Sequence, residues 1–146
     1  MSFFPMKILL ATDTSEEARL AARMAIEQAN KSGSELHVVH VGATELAGFS
    51  RGEVEAGRGR QEGQRKLDEE VKRIEDSGGT VAGAYLRTGE NKAAQITALG
   101  EEIGAGLIVV GSTGMTGMRR VFLGSVSESV VRHAHCPVMV VREEQT

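Results

Sequence analysis

Short apolar runs alternate along this chain with longer stretches in which apolar residues return every three or four positions. The run at 7–12 (KILLAT), closed by Asp13, Thr14 and Ser15, has the pattern of a strand buried on both faces. Runs at 35–41 (ELHVVHV), 80–87, 107–110 (LIVV) and 138–141 (VMVV) predict four more strands, the last entered through Pro137, whose ring blocks a helix. Between the first two strands a helix should start at Thr14 or Ser15, since Thr14 and Glu17 stand at capping-box spacing and Ser15 competes as N-cap. Its apolar stripe is Leu20 and Met24 with Ala21 and Ala25, and it should stop at Ser32-Gly33 on a glycine C-cap. A charged helix over about 61–77 carries Leu67, Val71 and Ile74 on one face and ends at Gly78-Gly79. A third helix over 91–103 carries Ala93, Ile96, Leu99 and Ile103, and a fourth runs from about Ser125 to His133.

Strands alternating with helices in this way predict a parallel sheet covered by helices on both faces. At 146 residues the chain is expected to form one domain around one core. Glycines at 48, 52, 57, 59 and 63 mark a stretch whose early part, about 42–60, reads as a mobile loop, and 142–146 reads as a short charged tail.

Composition narrows the function classes. A net charge of −3 and an aromatic content of 3% offer neither attraction for nucleic acid phosphates nor stacking platforms for bases. Nucleic acid is therefore not expected as a partner. The single cysteine, Cys136, suits a reducing compartment, and no apolar run approaches the roughly 20 residues that cross a bilayer. A cytoplasmic protein without membrane contact is expected.

The chemistry concentrates after the fourth strand. Gly111, Gly114 and Gly124, the last followed by Ser125, give the spacing G-x2-G-x9-G-S between a buried strand and a helix start. Such a segment offers a phosphate chain unobstructed backbone N–H groups, the positive end of a helix, and hydroxyls on Ser125 and Ser127. Neither the Walker A pattern nor G-x-G-x-x-G occurs. Asp13 reads either as an ordinary acid at a helix start or as a ligand beside the glycine segment. Arg119 and Arg120, inside that segment, are secondary candidates.

Other constellations are weaker. His133, His135 and Cys136 form an H-x-H-C cluster without a second ligand pair nearby, and His133 is better explained by the dipole at a helix C-terminus. His37 and His40 lie three apart along a strand and so face opposite ways. Nucleophilic catalysis is not expected, since Ser125 has no histidine and carboxylate partners in motif context.

With its glycine spacing matched in full, the opening ILLATDTSEEA, the second strand HVVHV and the closing LGSVSESVVRHAHCPVMVV, the chain resembles the ATP-binding branch of the universal stress protein family over nearly its whole length. The resemblance implies one domain over 1–146 with an open five-stranded parallel sheet in the order 3-2-1-4-5, Rossmann-like and akin to the adenine nucleotide alpha hydrolases. It places Ala11, Thr12 and Asp13 beside the nucleoside, the backbone of Val41 facing adenine, and Val110 and Gly111 near the ribose. Gly114, Gly124, Ser125, Val126 and Ser127 would surround the phosphates, with Mg²⁺ bridging phosphate oxygens.

The implied function is an ATP-Mg²⁺-binding regulatory protein of the stress response, a nucleotide-dependent switch with slow or no hydrolysis, as no lysine lies in the glycine segment. Autophosphorylation at Ser125 or Thr113 is the most enzymatic version of that expectation. The alternative is a dimeric interaction module of the same fold with no nucleotide role. An apolar edge strand at 138–141 predicts a homodimer paired there, with other protein partners unspecified.

Overall fold

Ile8, Leu9 and Leu10, at the centre of strand β1 (Lys7–Thr12), have no exposed surface, a burial that requires cover on both faces of the strand. Strands β2 (Glu35–Gly42), β3 (Val81–Thr88), β4 (Leu107–Gly111) and β5 (Val138–Val141) join it in one parallel sheet of order β3-β2-β1-β4-β5. The computed structural model describes residues 2–13, 15–42, 52–112 and 123–142, with 52–58 known by their backbone path alone. Both the five-stranded parallel architecture and its order agree with the sequence reading.

The cover is divided between two pairs of helices. Helices α1 (Glu16–Ser32) and α2 (Gly52–Asp76) close one face, where Ala21, Ala25, Leu67 and Ile74 pack on Ile8, Leu10, Leu36 and Val38. Helices α3 (Lys92–Ile103) and α4 (Ser125–His133) close the other, where Ile96, Leu99 and Val130 pack on Leu9, Val39, Ile108 and Val110. Alternate residues of each strand thus feed alternate cores, as a period of two requires.

Two expectations about the helices change. The buried face of α1 is built from Ala18, Ala21, Ala22, Ala25, Ile26 and Ala29, whereas Leu20 is only partly buried and Met24 is 44% exposed. Small side chains let the helix axis approach the sheet, so the alanines and Ile26, rather than Leu20 and Met24, face inward. Helix α2 begins at Gly52, well before the expected position near 61, so the stretch 52–60 is helical instead of loop. Gly63 lies close against Leu86, where a Cβ would stand 2.9 Å from Cδ1, the movable end of that side chain. The rest of the expected loop, 43–51, and residues 143–146 of the tail lie outside the described residues.

Helix ends follow their sequence cues. Ser15 is the N-cap of α1, its hydroxyl accepting the Ala18 N–H at 3.0 Å, and Gly33 ends the helix with φ of 69°, a left-handed conformation that favours glycine. Asn91 caps α3 in the same way by accepting the Ala94 N–H. Among the described residues no helix is long and apolar enough to cross a membrane.

Candidate functional site

From β1 the chain passes to β2 and β3 on one side, then returns across the sheet to β4 on the other, so β1 and β4 are the neighbours at which the direction of winding reverses. Their pairing covers Ile8, Leu9 and Leu10 against Leu107, Ile108 and Val109, although both strands continue for two further residues. The carboxyl ends beyond that ladder are where an open α/β sheet usually forms its ligand crevice.

One wall of the crevice is the end of β1. Ala11 is partly buried against the α3 side of the core, Thr12 is buried, and Asp13 follows the strand. The Asp13 carboxylate accepts the Ser15 N–H at 3.0 Å, which orients it at the mouth of α1. Val41 lies one residue beyond His40, the partner of Thr12 in the β1–β2 register. Its side chain is in the core, so only its backbone is placed to meet a ligand.

The opposite wall is the end of β4 and the start of α4. Val110 is buried and Gly111 closes the strand. A Cβ on Gly111 would lie 3.1 Å from the Glu17 carbonyl carbon and 3.2 Å from the Ala18 nitrogen, so the strand end meets the first turn of α1 where only glycine fits without displacement. Gly124 is the N-cap of α4 and makes no side-chain cap. The first turn therefore presents the amides of Ser125, Val126 and Ser127 at the positive end of the helix, with Ser125 and Val126 exposed.

Two of the predicted phosphate groups are already bonded within the protein. The Gly124 N–H donates to the Ser112 carbonyl at 2.7 Å, and the Ser127 hydroxyl donates to the Gly111 carbonyl. Ser127 is accordingly buried. Gly114, Thr113, Arg119 and Arg120 lie outside the described residues.

Three further residues at this site had no place in the sequence reading as ligands. His40 is buried with Nδ1 3.1 Å from the Thr12 carbonyl oxygen, and Glu17 and Ser112, both buried, are joined by a hydrogen bond from the Ser112 hydroxyl. The opposite orientation of His37 and His40 holds, since His37 bonds Tyr85 and Glu35 on the other side of the sheet. In the last turn of α4, His133 Nδ1 reaches the Ser129 carbonyl at 2.9 Å. Burial raises the Cys136 thiol pKa, which leaves it less reactive than an exposed thiol.

The sequence model of the universal stress protein family matches residues 6–142, from the start of β1 to the end of β5. The chain belongs to the universal stress protein family. A universal stress protein of Methanocaldococcus jannaschii is 34% identical over 141 residues, covering 94% of this chain and 82% of the relative. Among solved structures, the universal stress protein from Archaeoglobus fulgidus in complex with dAMP shares 27% identity, with a TM-score of 0.66 over 94% of this chain and 98% of that one. A universal stress protein in complex with cAMP has a TM-score of 0.72 at 23% identity, covering 93% and 96% of the two chains, a likeness of fold. These two universal stress proteins bind adenine nucleotides.

Proposed function

We propose that this universal stress protein binds ATP with Mg²⁺ in the crevice between β1 and β4 and works in the cytoplasm as a nucleotide-dependent switch. The observation that carries the reading is the start of α4. A glycine N-cap and amides with no side-chain cap face the carboxyl end of a splayed strand pair, where a polyanion gains most from the helix dipole. The dAMP complex of the Archaeoglobus fulgidus relative supports an adenine nucleotide as the ligand.

In this reading Ala11, Thr12 and Asp13 hold the nucleoside, the Val41 backbone faces adenine, and Val110 and Gly111 border the ribose. The amides of Ser125, Val126 and Ser127, with the Ser125 hydroxyl and the residues around Gly114 and Gly124, receive the phosphates. Magnesium would neutralise phosphate oxygens there. Hydrolysis would be slow or absent, because the segment 111–127 carries no Walker A lysine and rapid transfer also needs a positioned water and metal. Binding would act through the surface it orders and shows to partner proteins.

A second reading, a dimeric interaction module without nucleotide, draws on the protein partners already taken by the Gly124 amide and the Ser127 hydroxyl. Native mass spectrometry of the purified protein and titration of a fluorescent ATP analogue with magnesium separate the two. Co-purified ATP, or analogue binding by the wild type that falls at least tenfold in Gly114→Val, is the expected outcome. Equally poor binding by both proteins would overturn it in favour of the interaction module.

A further inference from the structure

Ser112 is 2% exposed and joins three elements at once. Its hydroxyl donates to Glu17 Oε2 in α1 at 2.5 Å, its N–H donates to the Val141 carbonyl of β5 at 3.0 Å, and its carbonyl accepts the Gly124 N–H at the start of α4 at 2.7 Å. Glu17 is itself 6% exposed and sits in the first turn of α1, four residues after Asp13. The contact between α1 and β4 is already tight, since Gly111 lies against the backbone of Glu17 and Ala18.

Packing alone does not call for this pair. Burying a carboxylate and a hydroxyl carries a desolvation cost that their mutual hydrogen bond returns only in part, so an apolar pair of the same shape would pack at least as well. The bond joins the first turn of α1 to the residue after β4, whose carbonyl also holds the Gly124 N–H at the start of α4. Neither residue was a ligand candidate, and both are too buried to be good ones.

We infer that Glu17 and Ser112 are positioning residues whose hydrogen bond sets the width of the crevice for a polyphosphate. The inference rests on the nucleotide reading above and adds a specificity to it. The pair governs recognition of the phosphate end of the ligand and leaves the nucleoside end alone.

Isothermal titration with ATP-Mg²⁺ and, separately, with adenosine tests it on the full chain, using wild type, Ser112→Ala, Glu17→Ala, the double variant and Glu17→Gln. Each single alanine variant should lose roughly tenfold in ATP affinity, the scale of one charge-assisted hydrogen bond. The double variant should lose no more than the worse single one, because the two residues form one unit. Adenosine affinity should stay within about twofold, and Glu17→Gln, whose amide oxygen still accepts, should restore ATP binding to near the wild-type value. Ser112→Cys, close in size and a poor donor, takes the place of Ser112→Ala if that variant does not fold.

Unchanged ATP affinity in the single variants would overturn the inference while leaving the nucleotide reading intact. Equal losses for ATP and adenosine would do the same, since they signal general damage. A wild type that binds neither ligand would overturn the nucleotide reading and this inference with it.

Discussion

His40 stands on β2 with 6% of its surface exposed, held through Nδ1 to the Thr12 carbonyl at 3.1 Å. A carbonyl can only accept, so Nδ1 carries the proton and Nε2 is the atom that titrates. Burial comes first in lowering the His40 pKa below its ordinary value. Lys66 of α2 and Lys92 of α3 lower it further, while the bond to Thr12 and the charge of Asp13 pull the other way. The sign for stability follows directly. The unfolded chain takes up the proton near pH 6.5 and the folded chain only at lower pH, so this contribution is complete above about 6.5 and lost as pH falls toward the folded value. Chemical unfolding between pH 7.5 and 5 should show wild-type stability falling below pH 6.5 with a slope of at most about 1.4 kcal/mol per unit for this one group. In His40→Gln that component should be missing. Identical pH slopes in the two proteins would remove His40 from the account. The same residue shows a limit of sequence reading: its strand and the direction it faces follow from a period of two, but its partner is 28 positions away and depends on the register of β1 with β2.

Helix α2 shows what decides an element when local preference and packing disagree. Glycines at 52, 57, 59 and 63 each cost roughly 1 kcal/mol against alanine in a helix, which is why the first part of this segment reads as loop. The helix nonetheless runs from Gly52 to Asp76, held by Leu67 and Ile74 in the core and by Gly63 fitting against Leu86. Its inward face also carries Glu70, 1% exposed, whose Oε1 accepts from Arg73 while Oε2 has no hydrogen-bond partner among the described residues. An orphaned buried acceptor costs about 1–3 kcal/mol, and the half-exposed Arg73 returns only part of that. Glu70→Met, similar in length and free of polar oxygens, should therefore raise stability by about 1–2 kcal/mol, seen as a higher urea midpoint with an unchanged slope. A lower midpoint would mean that the carboxylate has a stabilising partner after all. Patterning made the five strands, the second half of α2 and the Ser15 and Gly33 ends of α1 legible, because periodicity and caps are local. The early turns of α2, the alanine face of α1 and the Glu17–Ser112 bond were not, because each depends on a surface that only the folded sheet supplies.

The whole molecule has two sheet edges, β3 and β5, and they differ in chemistry. Strand β3 carries Arg87, paired with Glu102 of α3 at 2.8 Å, a charge of the kind that discourages edge pairing. Strand β5 reads VMVV with no charge, its Val138, Met139 and Val140 only partly buried, and Val131 of α4 is 47% exposed. An apolar edge of this kind favours a second copy, and we propose that the protein is a homodimer joined through β5 of each chain. The ladder itself supplies the test. The Ile108 N–H donates to the Pro137 carbonyl and the Ser112 N–H to the Val141 carbonyl, so carbonyls 137, 139 and 141 face β4. By the same alternation the amides of Val138 and Val140 point outward. Proline at position 140 removes one outward donor while leaving the β4 ladder whole, a placement that edge strands tolerate. Light scattering at micromolar concentration should give the wild type twice the 15.6 kDa chain mass and Val140→Pro the single chain mass, with both proteins giving the same far-ultraviolet circular dichroism. A wild type that scatters as one chain would sink the dimer outright. A dimeric Val140→Pro would move the interface away from β5.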